Sequence, residues 1–259
     1  MDAVLAGGAS LIKSVESVLL QIPGWEGAKP KELSGGLNNQ TWLVEIGGRR
    51  AVLKIDQHPR DTPFNMRAAE AQVQTQAAQA GLASAVLFAS DTVYMTEYVD
   101  GIVWSSVSLD DNENLDQLAA ALKKLHALPL TGRNFDAIGA ARDYASGITH
   151  EDSQKIRDSV QEIESMPLPK NLCCCHNDLV AANIIATPDV RFLDWEYACD
   201  NDPLFDLATV VAHHRLSTER TDYFLNAYFD GNANQWREQF ARQVELYESL
   251  LWLWEAASL

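Results

Sequence analysis

The sequence predicts an α+β fold made of a small N-terminal lobe with an antiparallel sheet and a larger, mostly helical C-terminal lobe. Its 259 residues are enough for one large domain or a pair of lobes. Residues 31–56 show the two-residue alternation of strands, and residues 115–128 repeat apolar side chains at helical spacing. We therefore divide the chain into residues 1–99, with a leading helix over 9–22, and residues 100–259.

The composition argues against several classes of protein. Acidic residues outnumber basic ones 36 to 20, and the formal net charge of −16 disfavours nucleic acid, which needs a basic surface. No apolar run reaches the eighteen or so residues that span a membrane, and the N-terminus lacks the pattern of a signal peptide. We expect a cytoplasmic protein with no membrane partner. Its acidic balance would favour a cationic ligand.

The first strands follow from alternation and from a turn. Residues 42–46 alternate in polarity, Gly47-Gly48 makes a tight hairpin turn, and residues 51–55 form the next strand. The loop before these strands contains Ser34, Gly35, Gly36 and Asn38. Its backbone could approach phosphates closely, although Ser-Gly-Gly also makes an ordinary turn.

Two candidate residues follow the hairpin. Lys54 lies near the end of the apolar strand AVLKI, where a Lys ordinarily points to solvent. An Ala- and Gln-rich helix comes next, with Glu70 as its only acid. Two more strands, 85–89 and 93–97, complete the predicted sheet.

The helical half offers less chemistry. Residues 115–128 form a strongly amphipathic helix that ends before Pro129, and residues 130–170 indicate no chemistry. The C-terminal tail is helical and rich in Trp and Tyr, which is typical of core packing. Alternatively, some of these rings line a pocket for a cation.

Residues 172–197, the central stretch, carry the strongest functional pattern. Three short apolar strands and their turns present His176, Asp178, Asn183 and Asp194. Carboxylate and amide oxygens suit Mg²⁺, and a phosphoryl acceptor hydroxyl needs a carboxylate that orients it and takes its proton. Asp178 and the Asn183–Asp194 pair supply both needs. In the protein-kinase version of this chemistry, a strand Lys contacts the nucleotide phosphates and pairs with a helix Glu.

The cysteines fit a reducing compartment. Cys173, Cys174 and Cys175 are contiguous, and Cys199 stands alone. Successive strand residues point to opposite faces, so we expect the triplet to be a poor disulfide or zinc framework. Its thiols are interpreted as small buried hydrophobes.

Asp206 follows the central stretch at the start of an apolar helix. An Asp at this point either caps the helix or holds the preceding loop by accepting hydrogen bonds from its backbone. In both cases we expect the side chain to support the site and not to react.

These segments resemble the aminoglycoside phosphotransferase and choline kinase superfamily, whose fold is protein-kinase-like. The matching segments are LSGGLNNQTWLVE, AVLKI, the Glu70 helix, MTEYVDG, HNDLVAAN, LDWEY and NDPLFDLA. They span residues 33 to about 212. The combination of HNDL, DWEYA and NDPLFDLA is similar to bacterial choline/ethanolamine kinases and thiamine kinase, more than to antibiotic-resistance enzymes.

The resemblance implies ATP and Mg²⁺ as cofactors, with Asp178 as catalytic base and Asn183 and Asp194 as metal ligands. The implied ATP-binding residues are Lys54, Glu70, Ser34, Gly35, Gly36, Asn38, Met95, Glu97, Tyr98 and Val99; the last three lie where the chain would cross between lobes, with Met95 beside the adenine. The implied acceptor pocket contains Tyr197, with Glu196, Tyr247 and Trp252 as further candidates. His176 would support the loop.

We therefore expect an ATP- and Mg²⁺-dependent kinase that phosphorylates a small cationic alcohol, with choline or ethanolamine favoured. A thiamine kinase or an aminoglycoside-type phosphotransferase is the alternative, and a catalytically silent nucleotide-binding relative is a further hypothesis. Two departures leave the acceptor open. ATVVAHH follows Asp206 where eukaryotic choline kinases carry an aromatic-rich helix, and Trp252-Leu-Trp254 differs from the Trp spacing of their choline site.

Overall fold

The computed structural model describes residues 14–33, 39–58, 60, 66–150 and 153–259. Its helices are α1 (Val15–Leu19), α2 (Arg67–Gln79), α3 (Asn112–His126), α4 (Ala137–Gly147), α5 (Ser153–Ser165), α6 (Pro203–His213), α7 (Thr218–Tyr228) and α8 (Arg237–Ala257). Its strands are β1 (Lys29–Glu32), β2 (Asn39–Ile46), β3 (Arg49–Asp56), β4 (Val86–Ala89), β5 (Val93–Glu97), β6 (Ile102–Val103), β7 (Cys173–Cys175), β8 (Ile184–Thr187), β9 (Asp189–Phe192) and β10 (Cys199–Asn201). Short 3₁₀ helices cover Ser106–Asp110, Ala181–Asn183, Trp195–Tyr197 and Ala233–Trp236.

The chain divides into two compact units. The first consists of the described parts of Met1–Gln72 and Ser84–Val99, and the second of Val73–Ala83 and the described parts of Asp100–Leu259. The sequence had placed residues 73–83 in the N-terminal lobe. They belong to the second unit because their buried side chains pack in its main core, namely Val73, Ala77, Leu82 and Ala83.

The first unit contains the predicted antiparallel sheet. Its strand order is β1-β2-β3-β5-β4, and Ile46 pairs with Arg49 across the Gly47-Gly48 turn. Both glycines have positive φ, 56° and 80°, which this tight hairpin turn requires and which glycine adopts without steric cost. The hairpin prediction is confirmed. Apolar side chains from one face of the sheet, including Val44 and Leu53, form the core of this unit.

The leading helix is shorter than predicted. The described part of residues 9–22 contains only α1, from Val15 to Leu19, and residues 9–13 lie outside the described chain. Ser14 caps this helix by accepting a hydrogen bond from the Ser17 N–H. Beyond Leu19 the backbone turns with three-residue hydrogen bonds, such as Ile22 N–H to Leu19 O at 3.2 Å, so the helical ladder ends.

The second unit is mostly helical, as predicted. Its main core is built from α3, α6, α7 and the hairpin of β8 and β9, and a further core joins α4, α5 and α8. The strands predicted in the central stretch are present, with Thr187 opposite Asp189 at the hairpin turn. Strand β7 pairs with β10, which places Cys175 opposite Cys199. Within the described ranges no helix has the length and apolar character needed to span a bilayer.

Candidate active site

Residues 176–183, here called the Asp178 loop, are held by a buried carboxylate. Asp206, with no exposed surface, accepts hydrogen bonds from the backbone N–H of His176 at 2.9 Å and of Asn177 at 2.7 Å. Asn177 adopts φ 64°, so the chain turns sharply just before Asp178. The cap of α6 is instead Asp202. Of the two roles considered for Asp206, it performs the second: it holds the loop backbone.

His176 ties the loop to the end of β9. Its Nε2 lies 2.9 Å from the carbonyl oxygen of Leu193, which only accepts, so Nε2 carries a proton. Burial lowers the pKa of His176, which favours the neutral ring. The Leu193 N–H donates to the Asn183 carbonyl at 2.8 Å. Leu193 is therefore hydrogen-bonded to both ends of the Asp178 loop. The next residue, Asp194, consequently lies near this loop.

The side chains of Asn183 and Asp178 are in direct contact. The Asn183 Nδ2 donates to the backbone oxygen and to the Oδ2 of Asp178, both at 2.9 Å. The nitrogen of the amide must face Asp178, because the backbone oxygen there can only accept. The amide Oδ1 consequently faces away from Asp178, where it can coordinate a cation.

The carboxylates of this site repel one another. Burial, followed by the charges of Asp194 and Glu196, raises the pKa of Asp178 to about 7. A bound divalent cation would relieve this repulsion. The Asp194 carboxylate and the Asn183 amide oxygen are hard ligands of the kind that Mg²⁺ prefers, so the residues present fit that ion.

Three tyrosines lie near enough to Asp178 to be affected by its charge. Burial, and then nearby acidic groups that include Asp178, raise the pKa values of Tyr144, Tyr197 and Tyr247. Tyr197 remains 39% exposed, so this side of the site is open to solvent. Tyr197 and Tyr247 were acceptor-pocket candidates from the sequence.

Tyr144 was missed by the sequence. It lies on α4, in the segment 130–170 that indicated no chemistry. Its only signal is a lone aromatic ring in the short stretch AIGAARDYASG. A single ring of this kind does not identify a site, because the element it packs against is unknown until the helices are assembled.

Tyr247 and Trp252, the acceptor candidates on α8, have interaction partners within the protein. The Tyr247 hydroxyl lies 3.3 Å from the Nδ1 of His213. The Lys155 ammonium lies 4.0 Å from the ring centroid of Trp252, so the protein's own cation covers one face of that ring.

In the first unit, Glu70 belongs to a buried ionic network that sequence reasoning did not find. Arg67 binds the Glu70 carboxylate at 2.5 Å and makes two hydrogen bonds with the Asp56 carboxylate, both at 2.7 Å. The signal available in the sequence was the three-residue spacing of Arg67 and Glu70 on one helix. Lys54 lies half-buried on β3, opposite Tyr94. The pairing of Lys54 with Glu70 remains a prediction.

The residues expected near the adenine lie on β5, in the sheet of the first unit, or directly after it. Met95 is fully buried on β5, and the N–H of Glu97 donates to Ala85 O at 2.9 Å. The N–H of Tyr98 donates to Arg50 O at 3.1 Å, and the Arg50 guanidinium stacks 4.5 Å above the Tyr98 ring. Contact of these residues and Val99 with a nucleotide remains a prediction. The loop residues Ser34, Gly35, Gly36 and Asn38 lie outside the described chain.

The sequence also matches a known family. Residues 29–243, most of the chain, fit the model of APH, the phosphotransferase enzyme family. The chain belongs to this family. The resemblance inferred from the motifs is thereby confirmed, and the protein is an APH-family phosphotransferase.

Individual relatives and structures agree with this membership. Protein LicA of Haemophilus influenzae is 30% identical over 240 residues, covering 85% of this chain and 70% of that protein. A thiamine kinase of Salmonella typhimurium is 28% identical over 223 residues, covering 83% of this chain and 76% of that protein. The choline kinase LicA of Streptococcus pneumoniae matches with a TM-score of 0.72 at 22% identity, covering 88% of this chain and 85% of that chain. The predicted protein-kinase-like α+β fold is confirmed.

Proposed function

We propose that this APH-family phosphotransferase is an ATP- and Mg²⁺-dependent kinase that phosphorylates the hydroxyl of a small cationic alcohol, choline or ethanolamine first. The observation that carries the reaction is the contact between Asn183 and Asp178 beside Asp194. It combines a carboxylate for a hydroxyl proton with an amide oxygen and a second carboxylate for a metal.

Each of these residues has a separate role in the proposal. Asp178 accepts a hydrogen bond from the acceptor hydroxyl, orients it and takes its proton as the new P–O bond forms and the bond between the γ-phosphorus of ATP and the β,γ-bridging oxygen breaks, which releases ADP. Asn183 holds Asp178 through Nδ2, and its Oδ1 and the Asp194 carboxylate would hold Mg²⁺. When bound, Mg²⁺ neutralises charge on the phosphates. His176 and Asp206 keep the loop backbone in position.

The nucleotide side of the proposal rests on residues of the first unit. Lys54 would contact the phosphates of ATP and pair with Glu70. The Arg67–Asp56 interaction supports this role, because it fixes the first turn of α2 and hence the position of Glu70. The further proposed contacts are Ser34, Gly35, Gly36 and Asn38 with the phosphates, and Met95, Glu97, Tyr98 and Val99 with the adenine.

The surroundings of Asp178 favour a cationic acceptor. Tyr144, Tyr197 and Tyr247 provide aromatic faces near the base, and Glu196 adds negative charge. A quaternary or primary ammonium group is attracted both to aromatic faces and to carboxylates. Trp252 supports this site less strongly, because Lys155 already lies over its ring.

A second candidate acceptor is thiamine. A thiamine kinase covers most of this chain at 28% identity. Thiamine also combines a positive charge with a primary hydroxyl, so the same aromatic and acidic surroundings would suit it. An aminoglycoside, with several ammonium groups on a larger body, is the third acceptor to test.

The test is a coupled assay of ADP release with Mg²⁺-ATP and each of six acceptors: choline, ethanolamine, thiamine, homoserine, a neutral sugar and an aminoglycoside. We expect choline or ethanolamine to give the highest kcat/KM, with a phosphorylated product visible by mass spectrometry and absent for Asp178→Asn. Turnover of the neutral sugar alone would contradict the cationic acceptor. Nucleotide binding without turnover of any acceptor would favour the catalytically silent relative.

A further inference from the structure

Two thiols and an imidazole meet behind the Asp178 loop. Cys173 and Cys175 lie two residues apart on β7, and their Sγ atoms are 3.5 Å from each other. Both thiols are free. His126, in the last turn of α3, completes the group: one ligand atom from each of the three residues lies within 4.8 Å of the others. This group is separate from Asn183 and Asp194, the proposed Mg²⁺ ligands.

The imidazole is already oriented as in a metal site. The Nε2 of His126 lies 3.0 Å from Oδ2 of Asp206, a carboxylate that holds the proton on that nitrogen. The lone pair therefore lies on Nδ1. A metal-binding His typically donates its other ring N–H to a carboxylate in this way. Nδ1 is 2.6 Å from the hydroxyl of Tyr228.

The distance between the two thiol sulfurs is close to that expected for two thiolates bound to one Zn²⁺ ion. Two thiolates on a tetrahedral Zn²⁺, with Zn–S bonds of about 2.3 Å, are about 3.8 Å apart. The 3.5 Å separation of Cys173 and Cys175 differs from this by a few tenths of an ångström. Cys173 is only half-buried, which gives an ion a route from solvent. Thiolate and imidazole ligands select soft or borderline metals such as Zn²⁺ over Mg²⁺.

We propose that His126, Cys173 and Cys175 bind one Zn²⁺ ion, and that this ion lowers catalytic turnover through Asp206. Binding forms two Zn–S bonds and one Zn–N bond and releases the two thiol protons to solvent. The Tyr228 hydroxyl leaves Nδ1, and a water molecule occupies the fourth position.

The link to catalysis passes through one carboxylate. Asp206 accepts from His126 and also from the backbone N–H of His176 and Asn177, just before Asp178. A metal on Nδ1 makes the Nε2–H a stronger donor to Oδ2 and weakens the competing backbone bond. Cys175 also precedes His176 in the chain, which gives a second, covalent connection between the metal site and the Asp178 loop. The effect on turnover rests on the proposed kinase function, whereas the binding of Zn²⁺ does not.

The binding test uses matched alanine variants of one strand. Cys173→Ala removes a ligand, and Cys174→Ala removes the neighbouring thiol, which points to the opposite face of β7. Reduced protein is titrated with Zn²⁺ in excess Mg²⁺, with a competing chelator, and separately with Co²⁺. We expect one Zn²⁺ per wild-type chain, unchanged affinity in Cys174→Ala and an affinity at least about 100-fold lower in Cys173→Ala. Bound Co²⁺ should show a thiolate charge-transfer band.

Equal Zn²⁺ affinity in the two alanine variants would overturn the site, as would a Co²⁺ complex without the thiolate band. Tyr228→Phe gives an independent check, since it removes the hydroxyl that competes for Nδ1. Zn²⁺ should bind this variant at least as tightly as the wild type, and a large loss of affinity would contradict the ligand set.

Turnover is then measured with the same proteins. Zn²⁺ should lower kcat in the wild type and in Cys174→Ala but not in Cys173→Ala. Equal inhibition of all three would place the inhibiting ion elsewhere and overturn the coupling. If the wild type has no kinase activity with any acceptor, the proposed function fails while the Zn²⁺ titrations still decide the site.

Discussion

The Asp178 loop and the tyrosines around Asp178 are held in place by different kinds of interaction. The loop is fixed by short hydrogen bonds that involve buried polar groups: Asp206 accepts from its backbone N–H groups, His176 donates to Leu193, and Asn183 donates to Asp178. The tyrosines come from α4, α8 and the 3₁₀ helix 195–197, and packing of these separate elements sets their positions.

This difference separates the reaction from the choice of acceptor. Groups that take a proton or hold a metal need positions accurate to a fraction of an ångström, which a dense hydrogen-bond network provides. Aromatic faces that attract a cation tolerate larger shifts, because the attraction is less directional. Substitutions in the loop should therefore change the rate, and substitutions among the tyrosines should change the acceptor KM.

The largest effect is expected for Asp178→Asn. Loss of the general base should lower kcat about 10³-fold, while the affinity for ATP changes little. Steady-state kinetics and the fluorescence of a bound nucleotide analogue measure the two quantities. Asp189→Asn, an exposed acid in the same stretch, serves as the control and should keep full activity. A kcat of Asp178→Asn near the wild-type value would refute its assignment as base.

The second-largest effect is expected for Asp206→Asn. The new amide nitrogen would face backbone N–H donors, so at least one of the hydrogen bonds to His176 and Asn177 is lost. We expect the free energy of unfolding to fall by about 3 kcal/mol, as measured by urea denaturation, together with a lower kcat. Asp230→Asn, which removes an exposed charge, should leave both values almost unchanged.

A smaller effect is expected for Asn183→Ala, and it should depend on the metal. The variant loses the amide oxygen proposed for Mg²⁺, so the Mg²⁺ concentration for half-maximal rate should rise about tenfold or more. The measurement is a Mg²⁺ titration at saturating ATP and acceptor. If kcat falls at saturating Mg²⁺ while the half-maximal concentration stays the same, Asn183 acts only by holding Asp178.

On the acceptor side, Tyr197→Leu should raise the KM for the acceptor about threefold to thirtyfold with little change in the KM for ATP. Tyr197→Phe keeps the aromatic face and should stay close to the wild type. Because Tyr197 is partly exposed, both variants should fold normally. Equal losses in the two variants would mean that the hydroxyl, and not the ring, is important.

The smallest effect is expected for Lys155→Met. This change uncovers the face of Trp252 that Lys155 now occupies. If Trp252 lies outside the acceptor pocket, the acceptor KM should stay within about twofold of the wild type. A clear fall in KM would show that Lys155 competes with the acceptor for this ring and that Trp252 belongs to the acceptor pocket.

The cysteine triplet shows how a correct local rule can give an incomplete prediction. Alternation along a strand does place Cys174 on the opposite face from its neighbours, which is why contiguous thiols were set aside. The same alternation places Cys173 and Cys175 side by side. The third member of the group, His126, is far away in the sequence, and only the packing of α3 against β7 brings it there.

The sequence by itself determined the α+β fold and the hairpin at Gly47-Gly48, and it singled out the candidate set Asp178, Asn183 and Asp194. These depend on short-range patterns: side-chain period, turn residues, and polar groups spaced along neighbouring strands. Only the tertiary structure decided which side chains lie next to the functional residues. Arg67 beside Asp56, Tyr144 near Asp178 and Asp206 beneath the loop are arrangements of residues from separate elements. Their positions depend on how apolar faces pack, which spacing along the chain does not encode.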